Sequence, residues 1–279
     1  MPNFRIDRSV TVHLCHPLAR RLNRWRGPRI PILMYHSIGE SQEGRHPYYE
    51  TNTSPQVFAQ HMKFLHDNCY RAHVVDKAKL SAARHRNPKS VVITFDDGYA
   101  DFYRHAFPIL TEYGFTATVF VITGLMKPQR MSFRGTECLT LSEVRELHSQ
   151  GVEIASHTVS HHDLRLLKQC EIENELSSSK KFLEDALGAP VKSFAYPFAF
   201  PEADRRFAGR LSDLLRDCGY ESGVTTILGT ARPGANQWLL PRLPVNRWDD
   251  LRFFRAKLEG AYDWLHVPQC LVKTLKGFL

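Results

Sequence analysis

The stretch VVITFDDGYAD, residues 91 to 101, joins a strand of the buried type to a pair of acids. Three β-branched apolar residues open it, as in a parallel strand that is covered on both faces. Asp96 and Asp97 follow after only two more residues. Burial of an ionised carboxylate is costly unless a cation or a metal pairs it. The stretch therefore predicts a buried strand that ends in a charged site, where at least one of the two acids has a partner.

Short apolar runs alternate with longer amphipathic segments along the chain, which is the pattern of βα units around a parallel sheet. Seven runs are predicted to be strands: residues 32–35, 91–95, 117–122, 152–155, 193–196, 222–225 and 243–245. Seven parallel strands are close to a closed barrel. We therefore predict an α/β protein with one barrel-like domain.

Three helices are predicted from their caps and apolar spacing, over residues 57–68, 143–150 and about 170–187. The first opens at Ser54 and the second at Thr140 or Ser142, because these side chains can accept hydrogen bonds from the first helical turn. The second and third end at Gly151 and Gly188.

The positive charge of the chain is concentrated at its beginning. Residues 1–29 hold seven arginines and one aspartate, or +6 of the net charge of +8. The rest is close to neutral, and we expect no nucleic-acid partner. We predict a basic N-terminal arm over residues 1–29, a barrel over 30–265 and a C-terminal tail over 266–279. Leu18, Leu22 and Trp25 have helical spacing, so the arm either makes a peripheral contact with an anionic membrane surface or is solvated.

The location of the protein is predicted from what its sequence lacks. No apolar run approaches the roughly 20 residues that a membrane-spanning helix needs. Residues 1–29 lack the apolar segment of a cleavable secretory signal. We therefore expect a cytoplasmic protein, with peripheral contact at the inner face of the membrane as the further expectation. The six cysteines form no CxxC pair, so we expect reduced thiols rather than disulfides or a thiolate metal site.

Polar clusters follow four predicted strands, at the end where the loops of a parallel barrel carry reactive side chains. They are Tyr35-His36-Ser37, Asp96-Asp97-Gly98, SHTVSHH at 156–162 and Tyr196-Pro197-Phe198. His157 and His161 can grip one cation, and Asp97 would complete an Asp-His-His set. Such a set suits Zn²⁺, and also Co²⁺, Ni²⁺ or Fe²⁺. A solvated Asp-Gly turn and a polar helix cap are the alternatives, but both clusters lie at one predicted rim.

The same residues resemble a known family. TFDDGY at 94–99, SHTVSH at 156–161 and FAYPF at 194–198 are similar, in order and spacing, to the first three motifs of the polysaccharide deacetylase family. This is the NodB-homology or carbohydrate esterase 4 group. LMYHSI at 33–38 resembles the first strand of its poly-N-acetylglucosamine deacetylase-like branch. The resemblance covers roughly residues 30 to 255 and implies a distorted (β/α)7-type barrel.

The resemblance also implies a reaction and a role for each site residue. The reaction is hydrolysis of an N-acetyl group on an N-acetylhexosamine, in a glycan or in a lipid- or nucleotide-linked glycan precursor. One divalent metal, with Zn expected first, would be involved. The implied roles are general base for Asp96, metal ligands for Asp97, His157 and His161, oxyanion donor for the backbone N–H of Phe198, and substrate contacts for Tyr99, Tyr196 and Pro197.

The sequence departs from the usual family pattern at two catalytic positions. Ala195 stands where an arginine usually orients the base, and residues 240–245 contain no histidine where the general acid is usual. We expect Arg242 to replace the arginine, because a guanidinium can hold a carboxylate through two hydrogen bonds. We expect His36 to be the acid, as in the branch that shares the Tyr-His opening. A surface arginine and a histidine bound to a loop carbonyl are the alternatives, and His162 is expected to be a neighbour of the metal rather than a ligand.

Two other functions remain as alternatives. One is a barrel that has lost its activity and only binds sugar, and the other is a hydrolase of another small amide without a metal. Asp96 has no structural duty in the metal scheme, so its presence speaks against the first. Asp97 together with the two histidines speaks against the second.

Overall fold

The computed structural model of the protein describes residues 5–22, 29–40, 50–76 and 89–277. Its strands are β1 (Ile32–Tyr35), β2 (Ser37–Ile38), β3 (Asn52–Thr53), β4 (Arg71–His73), β5 (Ser90–Phe95), β6 (Thr118–Val121), β7 (Ser132–Phe133), β8 (Thr136–Glu137), β9 (Glu153–Ser156), β10 (Ser193–Ala195), β11 (Ser222–Leu228) and β12 (Leu240–Pro244). Its α-helices are α1 (Ile6–Val10), α2 (His16–Leu22), α3 (Pro55–Asp67), α4 (Phe107–Glu112), α5 (Leu141–Ser149), α6 (Gln169–Leu187), α7 (Arg205–Asp217), α8 (Leu251–Leu258) and α9 (His266–Gly277). Two π-helical turns lie at Thr11–Cys15 and Phe102–Ala106, and 3₁₀ turns at Thr123–Leu125, Leu164–Leu166 and Asp263–Leu265.

Seven parallel strands close into a barrel in the order β1, β5, β6, β9, β10, β11, β12, and β12 pairs again with β1. All seven predicted strands lie in this ring, so the predicted barrel is confirmed. The short strand β4 was not predicted. It pairs with the first half of β5, while β6 pairs with the second half. Its sequence Arg-Ala-His offers no apolar run.

The three predicted helices are confirmed as α3, α5 and α6. The Ser54 side chain caps α3, and Thr140 forms a reciprocal capping box with Glu143 at the start of α5. Gly188 adopts a left-handed conformation after α6, with φ of 64°. The cap residues that the sequence offers therefore decide where these helices begin and end.

One apolar residue from each barrel strand forms a layer inside the barrel: Ile32, Val92, Phe120, Ala155, Ala195, Val224 and Leu240. Side chains alternate between the two faces of a strand. The next inward positions toward the carboxyl end of β5 and β12 are therefore Thr94 and Arg242. The apolar layer thus supports a polar layer above it, at the rim where the four polar clusters lie.

The described part of the basic arm is helical and packs on the barrel domain. Arg5 contacts Asp7 at 2.6 Å and Asp249 at 3.4 Å, and all three residues are buried. Lys257 contacts the other oxygen of Asp249 at 2.6 Å, and the Tyr262 hydroxyl donates to Asp7. Each buried charge therefore has a partner, as burial requires. These contacts tie α1 to the loop after β12, so residues 5–22 do not extend into solvent as the solvated alternative held.

The three arm positions that were predicted to meet a membrane surface are described only in part. Leu18 is exposed, whereas the side chain of Leu22 and all of Trp25 lie outside the described residues. No described helix combines the length and apolar character that crossing a bilayer demands. All six cysteines are free thiols, as predicted.

His61 of α3 is a buried titratable group between the barrel and α8. Its Nε2 lies 2.7 Å from the Asp249 carbonyl oxygen, which can only accept, so Nε2 carries the proton. Its Nδ1 then accepts from the Tyr35 hydroxyl at 3.1 Å, and the ring stacks on Phe254. Burial outweighs the opposing hydrogen bond to Asp249 and lowers the pKa of His61 to about 4.

We expect acid to weaken the fold through His61. Because folding lowers its pKa from 6.5 to about 4, the unfolded chain binds the extra proton between these values. The resulting decrease in the free energy of unfolding is absent above pH 6.5 and grows to about 3 kcal/mol as the pH falls to 4. Urea unfolding at several pH values measures it. The His61→Gln variant, which does not titrate, should show a shallower decline, and equal declines would refute the assignment.

Candidate active site

The acidic pair at the end of β5 is turned into one cavity by its backbone. Asp96 continues the inward alternation of Val92 and Thr94 and is buried. Asp97 has φ of 70°, a left-handed conformation that breaks the alternation, so its carboxylate also lines the cavity. Gly98 follows with φ of 67°, and a Cβ there would lie 3.0 Å from Val121 Cγ1. The Asp-Asp-Gly sequence is thus the one that this turn can accommodate.

Asp96 has Arg242 as its partner. The Nη1 and Nη2 atoms of Arg242 lie 2.6 and 2.7 Å from the two oxygens of Asp96, a bidentate pair in the barrel interior. Arg242 also donates to Thr94 Oγ1 and to the Thr225 carbonyl. Burial would raise the pKa of Asp96, but the charge and hydrogen bonds of Arg242 outweigh it and the pKa is lowered. Asp96 is therefore held as an ionised carboxylate, and Arg242 is not a surface arginine.

Asp97, His157 and His161 form the predicted three-residue set. Their ligand atoms lie within 4.8 Å of one another, and all three residues are buried. The two Nε2 atoms are 3.5 and 3.3 Å from Asp97 Oδ1. Burial would raise the pKa of Asp97, but the two imidazoles beside the carboxylate outweigh burial and the pKa is lowered. The set therefore presents one anionic oxygen and two ring nitrogens to a single point.

The chemistry of this donor set fits a divalent cation. The Nδ1 atom of His157 lies 2.8 Å from the Ala195 carbonyl, which can only accept, so Nδ1 carries a proton. In a neutral ring, Nε2 then turns a lone pair toward Asp97 Oδ1. Two acceptors that face each other call for a cation between them. A histidine ligand that donates its second N–H to a carbonyl is usual in metal sites.

The loop that carries the two histidines is held by α6. The Glu175 carboxylate accepts from the backbone N–H groups of Val159 and Ser160, at 2.8 and 3.0 Å, and from the Ser160 hydroxyl. On the other side, a Cβ at Gly124 would lie 2.6 Å from the Val159 carbonyl oxygen. Glu175 was not predicted, because its role depends on how α6 packs. His162 is exposed and bonds Ser160, as expected of a non-ligand.

Backbone strain is concentrated around this site. Six described non-glycine residues have positive φ, and all but Cys69 lie in the cavity or in the histidine loop: Asp97, Arg134, Thr158, His161 and Phe198. Such conformations cost energy and persist where the surrounding structure enforces them, which is common at functional sites.

Three of the remaining predicted residues line a cavity of about 440 Å³. His36 lines it, with Nε2 3.9 Å from Asp96 Oδ2, so it adjoins the carboxylate instead of facing it across the cavity. Tyr99 and Tyr196 also line it, and the Tyr196 hydroxyl donates to Asp163. Pro197 is buried and does not line it, so a direct substrate contact is not supported.

The ring of Phe198 packs against His161, a member of the three-residue set. It is half-exposed, and its centroid lies 4.7 Å from that of the His161 ring. Its backbone carbonyl accepts from Thr226 Oγ1, whereas its N–H bonds no acceptor among the described residues. The N–H is thus available to an incoming group.

The comparisons with known proteins agree with this fold and site. The sequence model described as polysaccharide deacetylase matches residues 83–222. YxkH of Bacillus subtilis (strain 168), which is named as a polysaccharide deacetylase, is 33% identical to this chain over 234 residues. The aligned region covers 83% of this chain and 77% of YxkH. The chain therefore belongs to the polysaccharide deacetylase family, the NodB-homology or carbohydrate esterase 4 group.

Further similarities place the chain near the poly-N-acetylglucosamine deacetylase branch of that family. The poly-β-1,6-N-acetyl-D-glucosamine N-deacetylase of Staphylococcus aureus (strain MRSA252) is 27% identical over 179 residues, 58% of this chain and 59% of that protein. The Streptococcus pyogenes deacetylase PplD, solved with acetate, superposes with a TM-score of 0.71 at 27% identity, over 83% of this chain and 99% of PplD. IcaB of Ammonifex degensii superposes with a TM-score of 0.68 at 25% identity, over 84% of this chain and 98% of IcaB.

We expect loss of the Arg242 guanidinium to destabilise the protein. In Arg242→Gln the Asp96 charge stays buried without a counter-charge, which costs about 3–5 kcal/mol. Urea unfolding measures the loss. The double variant Asp96→Asn/Arg242→Gln carries neither charge and should recover a substantial part of it. A single variant as stable as the wild type, or a double variant no more stable than the single, would contradict the pairing.

Proposed function

We propose that the chain is a metal-dependent carbohydrate de-N-acetylase. Its substrate would be an N-acetylhexosamine in a glycan or in a lipid- or nucleotide-linked glycan precursor. The observation that carries the proposal is the separation of the two acids: Arg242 holds Asp96 ionised, while Asp97 faces the two histidines. Family membership and the activity for which the Staphylococcus aureus relative is named support the substrate class.

The residues of the cavity divide the hydrolysis among them. A divalent cation held by Asp97, His157 and His161, with Zn²⁺ proposed first, would acidify a water and polarise the amide carbonyl. Asp96 takes a proton from the attacking water while the water oxygen bonds to the carbonyl carbon of the amide. The Phe198 N–H is the proposed donor to the oxygen that becomes negative.

The departing nitrogen needs a proton from a separate donor. As the C–N bond breaks, acetate and an amine form, and an amide anion is too basic to leave. We assign this proton to His36, whose Nε2 lies 3.9 Å from Asp96 Oδ2. The base Asp96 and the acid His36 are thus neighbours. In this proposal Asp96 acts on the attacking water and His36 acts on the departing nitrogen.

We also propose a cytoplasmic location with the N-terminal helices against an anionic membrane. Ile6, Leu14 and Leu18 are large apolar side chains that are exposed on these helices. The side chain of Arg20 is 61% exposed on the same helices, 3.9 Å from Glu259, and adds a cationic group to these apolar ones. Co-sedimentation with anionic vesicles decides this point, and equal recovery with neutral vesicles would argue against it.

The two acids should respond differently to amide substitution. Asp96→Asn should keep the metal and lower turnover by about two to four orders of magnitude, as for removal of a positioned base. Asp97→Asn and His157→Ala should lower metal occupancy. Elemental analysis of the purified variants and acetate release from an N-acetylhexosamine oligomer provide the two measurements. Loss of metal from Asp96→Asn with retention in Asp97→Asn would reverse the assignment, and a wild type without stoichiometric metal would end the proposal.

His36→Ala should keep its metal and its fold but lose most of its turnover. Because the alkaline limb of a pH–rate profile reports loss of a proton from the acid, that limb should flatten. Acetate release across pH, with metal content as the second measurement, tests this. His162→Ala removes an exposed histidine from the same rim and is the matched control. Near wild-type turnover in His36→Ala would remove His36 from the reaction.

A further inference from the structure

Arg134 is a cation at the wall of the cavity that has no anionic partner among the described residues. It lies at the turn of the β7–β8 hairpin, and its guanidinium carbon is 5.1 Å from the Phe133 ring centroid and 5.3 Å from that of Phe198. Among the described residues, no carboxylate oxygen lies within 4.0 Å of this guanidinium. A charged side chain is therefore held by two aromatic faces and leaves its hydrogen-bond donors open.

The other arginines around the hairpin are paired. Arg104 lies 2.6 Å from Glu137, and Arg130 lies 2.7 Å from Glu143. Local acids are thus within reach of this hairpin, yet they neutralise its base rather than its tip. Of the three described arginines on or beside this hairpin, Arg134 at the tip is the one left to meet a group that enters the cavity.

The hairpin fixes the position of Arg134. Ser132 pairs with Glu137 and Phe133 with Thr136, which leaves a two-residue turn in which Arg134 and Gly135 both have positive φ, at 51° and 83°. A two-residue turn of this type is the one that suits the twist of a tight hairpin. The arginine is therefore presented by a defined turn and not by a long loop.

The turn lies beside the reacting centre. The Phe133 and Phe198 rings that support Arg134 also pack on His161, with centroids 5.0 and 4.7 Å from the imidazole. One layer of rings thus separates the cation from a residue of the metal set. A group bound by Arg134 would belong to the same substrate molecule as the amide at Asp96 and Asp97.

Charged side chains of both signs line the cavity, and Asp96 and Asp97 at the end of β5 are among its acids. Glu40 and Glu50 line it from the segments that follow β1. The β7–β8 hairpin follows β6, and Phe198 follows β10, so Arg134 and its supporting ring belong to the opposite half of the strand ring. A neutral sugar gains little from such an arrangement of charges, whereas a substrate with a negative group is oriented by it.

We propose that Arg134 binds an anionic group, a phosphate or carboxylate, carried by the N-acetylhexosamine substrate. This rests on the proposed function and narrows its substrate class to acidic glycans and precursors. The anion has two possible sources: the phosphate of a lipid- or nucleotide-linked sugar, or the carboxylate of an acidic sugar. Both offer oxygens that a guanidinium can bind through two hydrogen bonds.

The test compares substrates that differ only in charge. The kcat/KM for acetate release is measured on a neutral N-acetylhexosamine disaccharide, on its 1-phosphate and on its carboxylate-bearing analogue. The wild type should prefer an anionic form, and Arg134→Gln should lower the ratio of anionic to neutral kcat/KM by about 10- to 100-fold, as for loss of a charge-assisted contact. The anionic form with the larger wild-type preference identifies the source.

The matched control is Arg210→Gln. Arg210 is an exposed arginine that also lies over an aromatic ring, 5.6 Å from the Phe207 centroid, but it does not line the cavity. Its substitution removes the same charge and should leave the anionic-to-neutral ratio unchanged. If Arg210→Gln reduces the preference for the anionic substrate as much as Arg134→Gln does, the preference is a general effect of the protein's charge and the proposal is overturned. An equal loss of kcat/KM on neutral and anionic substrates in Arg134→Gln would overturn it as well.

A binding measurement separates this proposal from the proposed function. Calorimetric titration of N-acetylhexosamine 1-phosphate and of the neutral sugar into the wild type and into Arg134→Gln needs no turnover. Weaker binding of the phosphate in the variant, with no acetate release from any substrate, would retain the anion site and reject the deacetylase. Equal affinities in wild type and variant would reject the anion site whatever the activity.

Discussion

The ion pair between Asp96 and Arg242 is the constraint on which the site depends. It places two buried charges above the apolar layer of the barrel, and their bidentate contact at 2.6 and 2.7 Å offsets the cost of removing them from water. The pair spans the interior from β5 to β12, which are separated by β1 in the strand ring. The contact therefore holds the carboxyl ends of these strands in register at the level where the cavity opens.

The pair also decides what the neighbouring acid can do. Because Arg242 compensates Asp96, the arginine is not available to Asp97, whose oxygen faces two imidazoles instead. His157 is committed to donate to the Ala195 carbonyl from its other nitrogen, so it turns a lone pair toward Asp97 in its neutral form. One acid is thus paired with a guanidinium and the other faces two imidazoles, although they are adjacent in sequence and both are buried.

Much of the fold and of the site could be predicted from short-range signals. The seven barrel strands carry short apolar runs, and the three predicted helices carry cap residues, so local sequence was sufficient for these elements. Several other contacts between distant segments carried no such signal. Arg5 meets Asp249 across 244 residues, Glu175 reaches the histidine loop only through the packing of α6, and Arg134 sits in a hairpin whose Arg-Gly turn shows its shape but not its position over the cavity.

Arg242 can reach Asp96 from β12 because a small residue, Ala195, stands at the position where the family usually has the arginine. Ala195 on β10 belongs to the apolar layer inside the barrel and fills little of the space above it. Arg242 enters that space, with its guanidinium carbon 5.8 Å from the Phe120 ring centroid and its Nε donating to the Thr225 carbonyl. The same head group therefore reaches Asp96 from another strand. A small residue at 195 and an arginine at 242 are therefore expected to occur together.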